Sequence, residues 1–214
     1  MRRIWFAPVA SLAILAAPGA AQSVYEQGQA AAGRGDYADA ADSFRQACDD
    51  GEAAGCNDLG TLYEQGRGVD QDAEIAATLY RTACDDRDGY ACSNLGRLYE
   101  RGDGLAKDMA RAIELYQQGC DLEGPLGCNN LGSAYEHGDG VTKDEARAAL
   151  LYRQACDGGE PWGCSNLGYL YETGRGVERD PAQALALLRQ ALDKGIEDEE
   201  AGNVRAAITR LDGS

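Results

Sequence analysis

The spacing of the cysteines constrains the fold of this chain more than any other feature. Eight cysteines occur among 214 residues, and they form four pairs whose members lie eight positions apart. From the second cysteine of each pair the sequence repeats every 36 residues, as CNDLGTLYEQGRGV, CSNLGRLYERGDGL, CNNLGSAYEHGDGV and CSNLGYLYETGRGV. A fixed period of this length predicts a solenoid of stacked supersecondary units. The pairs are Cys48 with Cys56, Cys84 with Cys92, Cys120 with Cys128, and Cys156 with Cys164.

Each repeat is predicted to contain two helices. Leu59, Leu62 and Tyr63 stand at i, i+3 and i+4, which indicates one apolar stripe on a first helix, called helix A. Paired glycines end it, because glycine accepts the left-handed conformation at a helix C-terminus. An aspartate then starts helix B by accepting from free backbone N–H groups. The four predicted N-cap aspartates are Asp72, Asp108, Asp144 and Asp180.

A recurring glycine within helix A predicts close packing. Glycine in a helix interior costs about 1 kcal/mol relative to alanine, so its retention in every copy calls for a structural reason. We expect another helix to approach closely at each of these positions. The four glycines are Gly60, Gly96, Gly132 and Gly168.

The first 21 residues predict a secretory signal peptide cleaved near Ala21. Two arginines precede an apolar run, Ile4 to Ala17, and small residues follow it. A membrane anchor is the alternative, but the run is shorter than the ~20 residues that a bilayer requires and contains Pro8. We therefore expect a periplasmic or secreted protein.

Export favours disulfides, because an even number of regularly spaced cysteines in an oxidising compartment is their usual signature. Each pair would join the end of helix B to the start of the next helix A, across a loop that reverses the chain. Closing such a loop stabilises the fold by about 2.5 kcal/mol in the chain-entropy estimate. Metal binding is the alternative, but zinc sites place cysteines two to four positions apart and the chain has one histidine. We expect no metal and no cofactor.

The charge of the chain limits its partners. The formal net charge is −16, and loss of Arg2 and Arg3 with no acidic residue would make it −18. Nucleic acid and anionic lipid select basic surfaces, so neither is expected as a partner. An acidic surface keeps a protein soluble, and it also suits a basic protein partner.

The stretch LGTLYEQGRGVDQDAEIAATLYRTA resembles the repeat of the Sel1-like family, a relative of tetratricopeptide repeats. The paired cysteines make the chain similar to the cysteine-rich secreted, Hcp-like branch of that family. The resemblance implies an all-α, right-handed solenoid of antiparallel helix pairs, with a concave face of A helices that binds a protein or peptide. Together with the predicted signal peptide (1–21) and a C-terminal amphipathic segment that predicts a capping helix (195–214), it divides the chain into a tetratricopeptide-like helix pair (22–55) and four Sel1-like repeats (56–194).

Some members of that branch are described as penicillin-binding proteins or β-lactamases, which gives an alternative function. A serine β-lactamase uses the motif S-x-x-K, and no serine stands three positions before Lys107, Lys143 or Lys194. A zinc enzyme needs several histidines, and His137 is alone, in a column that varies as a solvent-facing position does. We therefore predict no catalytic residue and expect a monomeric interaction scaffold, with hydrolysis of β-lactams as the alternative.

Aligned positions that differ between the four repeats, while the residues around them stay the same, are the candidates for partner recognition. Beside these positions, Asp58, Asn94, Asn130 and Asn166 form a polar ladder. Its amides could bind a peptide backbone, or they could hydrogen-bond to neighbouring repeats, and the sequence leaves both interpretations open. The serines of the SNLG text also suit a helix start. The predicted partner-binding face comprises Asn57, Asp58, Thr61, Ser93, Asn94, Arg97, Asn129, Asn130, Ser133, Ser165, Asn166 and Tyr169.

Overall fold

The computed structural model describes residues 22–213, so the predicted signal peptide and its cleavage site lie outside the described residues. All regular elements in the described range are helices. They are α1 Val24–Arg34, α2 Tyr37–Asp49, α3 Ala53–Gln65, α4 Ala73–Asp85, α5 Gly89–Arg101, α6 Met109–Asp121, α7 Pro125–His137, α8 Glu145–Asp157, α9 Pro161–Thr173, α10 Pro181–Asp193 and α11 Asp198–Asp212.

The helices form a solenoid of antiparallel pairs, as predicted. The A helices are α3, α5, α7 and α9, and each packs against the B helix that follows it, namely α4, α6, α8 or α10. Each A helix also contacts the next A helix, whereas successive B helices do not approach each other to the same extent. The stack therefore curves with its A helices on the inner side.

The helix ends follow the predicted punctuation. The Asp72 carboxylate accepts from the backbone N–H groups of Glu74 and Ile75, and its three equivalents cap α6, α8 and α10 in the same way. Helix α3 ends at Gly66, whose φ of 65° lies in the left-handed region. Two positions later, a Cβ on Gly68 would lie 2.3 Å from the backbone of Tyr37 at the start of α2. This second glycine thus lets each loop contact the B helix of the preceding pair.

The glycine within each A helix accommodates a large side chain of the following B helix, which confirms the predicted close approach. A Cβ on Gly96 would lie 2.8 Å from the ring of Tyr116 in α6, and this tyrosine is almost wholly buried. Gly60 and Gly132 meet Tyr80 and Tyr152 in the same manner. In the last pair Leu188 takes the place of the tyrosine.

Four disulfides join the B helices to the A helices that follow them. The bonded pairs are the four predicted from spacing, and each brings two Cα atoms to 4.6 Å. The sulfur atoms lie inside the apolar clusters that connect consecutive pairs, and Cys92 is completely buried. Disulfides persist in oxidising compartments, so these bonds indicate a protein outside the cytoplasm.

Both ends of the stack are covered. Helix α1 packs Tyr25 against Phe44 of α2, with ring centroids 5.7 Å apart. Helix α11 covers α10 with Ala201, Val204 and Ala207, which are buried. Within residues 22–213, every helix is too short or too polar to cross a bilayer.

Candidate functional site

The inner side of the curve carries the predicted partner-binding residues. We define the A face as the partly exposed polar residues of α3, α5, α7 and α9, beginning with Asn57, Asp58, Thr61 and Glu64 in α3. Ten of the twelve predicted residues are partly exposed there. Ser93 and Ser165 are fully buried instead, and their hydroxyls donate to the backbone carbonyls of Gly89 and Trp162. These two serines support the helix starts and lie inside the packing.

Side-chain amides connect two of the three boundaries between A helices. Asn94 Nδ2 donates to Asn57 Oδ1 at 3.0 Å, and Asn166 Nδ2 donates to Asn129 Oδ1 at 3.1 Å. These contacts agree with the interpretation in which the amides form hydrogen bonds between neighbouring repeats. The boundary between α5 and α7 differs, because Ser93 stands where the other boundaries have an asparagine.

A row of four glutamates runs along the A face. Glu64 accepts a hydrogen bond from the Tyr80 hydroxyl at 2.8 Å, and Glu136 accepts one from Tyr152 at 2.7 Å. Glu100 accepts from Tyr116 in the same way. Burial, together with the adjacent carboxylate, raises the pKa of each of these tyrosines, so the phenols stay protonated and donate. The row ends at Glu172, where Leu188 replaces the tyrosine.

Arginines from the next unit bind three of these four glutamates. Arg97 in α5 binds Glu64 with two nitrogens, at 2.6 and 2.9 Å. Arg175, in the loop after α9, lies 2.9 Å from Glu136. The three carboxylates bound by arginine are mostly buried, with side-chain exposures of 11–17%. The third pair joins Arg210 in α11 to Glu172, at 2.7 Å.

The two ends of the A face are tied to the terminal helices. The Tyr25 hydroxyl donates to Asp58 at 2.9 Å, and burial raises the pKa of Asp58. Desolvation and that carboxylate raise the pKa of Tyr25 to about 12. At the other end the Tyr169 hydroxyl donates to Glu200 at 3.0 Å. Asp58 and Tyr169 therefore hold the terminal helices α1 and α11 against the two ends of the A face.

The glutamate row is the part of the site that residue-by-residue prediction missed. The four glutamates recur in the sequence, and recurrence within a repeat indicates only a structural role. A signal was present, because a tyrosine follows three of them at a separation of 16 residues. Sequence spacing alone does not reveal that the carboxylates also attract arginines from the following unit.

The chemistry of the A face is that of its polar side chains. It presents carboxylates, amides and hydroxyls, and the Ser93 and Ser165 hydroxyls are not placed to act as nucleophiles. His137 is exposed, and its Nδ1 lies 2.9 Å from the Ser133 carbonyl oxygen. Across the described residues, no three His, Cys, Asp or Glu side chains converge as they would around a metal ion. The β-lactamase alternative thus gains no residue from the structure.

Comparison with known families identifies the repeats. The Sel1 repeat matches four consecutive segments, residues 53–88, 89–123, 125–160 and 163–196. Together these segments cover more than half of the chain. The search of curated proteins found no match to this sequence.

Solved structures with the same architecture come from several bacteria. A Sel1 repeat protein of Oxalobacter formigenes superposes with a TM-score of 0.71 at 27% identity, over 81% of this chain and 72% of that one. A protective antigen of uropathogenic Escherichia coli with an SLR fold gives 0.64 at 30% identity, over 80% of this chain and 41% of that one. Cysteine-rich protein B of Helicobacter pylori gives 0.50 at 28% identity, over 63% of this chain and 95% of that one.

Proposed function

The chain belongs to the Sel1 repeat family, whose solenoids are typical protein-interaction scaffolds, and we propose that it binds a protein or peptide partner on its A face. In this proposal the protein is exported, remains monomeric and works in the bacterial cell envelope. The helices before Glu52 and after Lys194 cap the stack. The disulfides support the location, because such bonds are rare in the cytoplasm.

One observation carries the proposal. The four A helices present partly exposed polar side chains at equivalent positions on the inner side of a curved stack. A curved solenoid of this kind provides an extended surface that a partner can follow from repeat to repeat. The side chains at these positions differ between repeats, as Thr61, Arg97, Ser133 and Tyr169 do, although the frame around them is constant. Such variation suits recognition of one particular partner.

The net charge of the chain supports a basic partner. The chain carries 36 acidic residues against 20 basic ones. Three of the four glutamates along the A face are bound by arginines of the chain itself, and Glu100 is the one without such a pair among the described residues. Complementary charge accelerates encounter and disfavours partners of the wrong sign. A basic protein or a basic exposed segment of a protein is therefore the expected partner class.

Capture of envelope proteins on the immobilised, oxidised protein tests this function. Two variants are compared, in which the same threonine-to-arginine substitution is made on opposite sides of the stack. Thr61→Arg adds a positive charge to the A face, and Thr82→Arg adds the same charge to exposed α4 on the outer side. We expect a basic protein to be retained by the unmodified chain and by Thr82→Arg, and retained about tenfold less by Thr61→Arg. Equal loss in both variants, or loss with Thr82→Arg alone, would remove the A face as the binding surface.

A further inference from the structure

A small pocket opens between α5 and α7, at the boundary between the second and third Sel1 repeats. Its volume is about 100 Å³, which is space for about three water molecules at ~30 Å³ each. Glu100 and Tyr116 line one side, and Asn130, Ser133 and Asp139 line the other. The pocket thus interrupts the A face near the middle of the stack.

Glu100 is the one glutamate of the row that has no arginine. Its carboxylate accepts from Tyr116, and within residues 22–213 no ion pair reaches it. Arg97, one helical turn away on α5, is directed to Glu64 instead. The carboxylate therefore faces the pocket without the positive charge that its three equivalents have.

The sequence explains this difference. Two positions of the following repeat supply arginines within the solenoid: the A-helix position of Arg97 and the loop position of Arg175. In the third repeat these positions hold Ser133 and Asp139. A short hydroxyl side chain replaces a long cationic one, which leaves space, and a second carboxylate replaces the other guanidinium.

The amide contact is interrupted at the same boundary. Asn130 stands where Asn94 and Asn166 reach back to an asparagine of the preceding helix, but the equivalent residue before it is the buried Ser93. In the described part of the chain, the Asn130 side chain has one hydrogen bond, which its Oδ1 accepts from Asn129 at 3.4 Å. The side chains of Asn130, Ser133, Asp139 and Glu100, all of which carry oxygen, thus surround one small space. The Ser133 hydroxyl also contacts Tyr152 and lies 3.5 Å from His137 Nδ1, so the charge of the pocket comes from the two carboxylates.

We propose that this pocket binds an arginine side chain of the partner, whose guanidinium occupies the place that Arg97, Arg175 and Arg210 take on the other glutamates. The inference rests on the proposed function, because a partner must bring the arginine. The nearness of two carboxylates, Glu100 and Asp139, is not its only support. Three arginines of the chain itself already bind the glutamates equivalent to Glu100. Arginine is favoured over lysine because its planar fork binds a carboxylate with two hydrogen bonds, as Arg97 does.

Acetyl-arginine amide is the probe for a direct test, with acetyl-lysine amide as its comparison. Titration into the isotope-labelled, oxidised protein should shift amide resonances around Glu100, Ser133 and Asp139, and the lysine probe should bind several-fold more weakly. Glu100→Gln keeps an acceptor for Tyr116 but removes the charge, so it should weaken the arginine probe about tenfold or more. Glu74→Gln, which removes the same charge from exposed α4, should leave binding unchanged.

A second variant fills the pocket from within. Ser133→Arg places a guanidinium at the position equivalent to Arg97, so it should pair with Glu100, raise the denaturation midpoint and abolish binding of the arginine probe. Unaltered probe binding in Ser133→Arg would overturn the proposal, and it would do so even if Glu100→Gln failed to fold. Equal binding of the two probes would overturn it as well.

The pocket and the scaffold can fail separately. If the captured protein is lost with Thr61→Arg but bound equally by Ser133→Arg and the unmodified chain, the scaffold stands and the arginine pocket is contradicted. If the arginine probe binds in a manner that depends on Glu100 while no protein is captured, the pocket stands and the proposed function is contradicted.

Discussion

Arg97 of α5 binds Glu64 of α3 across the boundary between the first two Sel1 repeats, with two hydrogen bonds of 2.6 and 2.9 Å. The two residues lie 33 positions apart in sequence, and their side chains are only 27% and 17% exposed. In a solenoid each unit contacts only its neighbours, so boundary contacts of this kind decide how firmly the units are coupled. The same contacts show which positions of the third repeat lack an arginine, namely Ser133 and Asp139.

Replacing Arg97 with glutamine should destabilise the chain by about 1–3 kcal/mol. The substitution leaves a mostly buried Glu64 carboxylate without its cation, and a buried group that loses a charged partner incurs its desolvation penalty. Arg111→Gln is the matched control, because Arg111 forms an exposed pair with Glu114 on α6, and it should cost less than about 1 kcal/mol. Denaturant unfolding measures both, and similar losses in the two variants would contradict a coupling role for Arg97.

Replacing Gly96 with alanine should destabilise the fold even though alanine is the better helix former. The new methyl group would lie 2.8 Å from the ring of Tyr116, whose hydroxyl is held by Glu100. Overpacking of this kind costs about 1–3 kcal/mol, which exceeds the roughly 1 kcal/mol gained in helix propensity.

Gly202→Ala in α11 provides the control for this prediction, since nothing lies within 4 Å of the added methyl group. It should stabilise the chain by up to about 1 kcal/mol. Thermal or denaturant unfolding compares the two variants. Stabilisation by both would show that the glycine within helix A is not needed for close packing.

Removal of one disulfide should weaken the stack without changing its helical content. Cys84→Ala combined with Cys92→Ala opens a loop of about nine residues, for which the chain-entropy estimate gives about 2.5 kcal/mol of lost stability. Far-ultraviolet circular dichroism should stay unchanged while the denaturation midpoint falls. Peptide mapping without reduction gives an independent check, because any pairing other than the four described would contradict the helix connections.

Alkaline pH should destabilise the protein through its buried tyrosines. Burial is the main cause that raises the pKa of Tyr25, Tyr80, Tyr116, Tyr152 and Tyr169 above the ordinary value near 10. The folded chain then holds these protons more tightly than the unfolded chain, so the free energy of unfolding falls as pH rises above about 10. For Tyr25 the fall continues to about pH 12.

Phenolate absorbance measures this effect directly. The folded protein should ionise fewer tyrosines just above pH 10 than the same protein in denaturant, in which tyrosines take their ordinary pKa. Tyr25→Phe should remove a group that titrates near pH 12. Identical titration curves for the folded and the denatured chain would contradict the burial of these phenols.

Local sequence signals predict the frame of this protein well. The Asp72 N-cap, the Gly66 C-cap and the cysteine spacing each depend on residues close together in the chain, and the structure contains all three features. Periodicity adds the long-range information, because a strict repeat requires every unit to pack in the same way. Helix bounds, pairing and disulfides could therefore be predicted together.

The details of the A face could not be predicted to the same extent. Ser93 and Asn57 occupy equivalent positions in their repeats. The Ser93 hydroxyl nevertheless donates to the Gly89 carbonyl, whereas the Asn57 side chain accepts from Asn94 of the next A helix. The partner of Glu64 comes from α5, and that of Glu136 comes from a loop. Such choices depend on side-chain length and on packing between repeats, which a sequence period does not specify.

Site-specific photo-crosslinking in the living bacterium shows whether the inner A face binds a protein partner. A photoreactive residue is placed at Thr61 or Ser133 on the A face, and at Thr82 or Gln118 on outer helices α4 and α6 as controls. We expect a discrete adduct with a basic envelope protein from the A-face positions only. Adducts from the outer positions alone, or none from either A-face position, would contradict it.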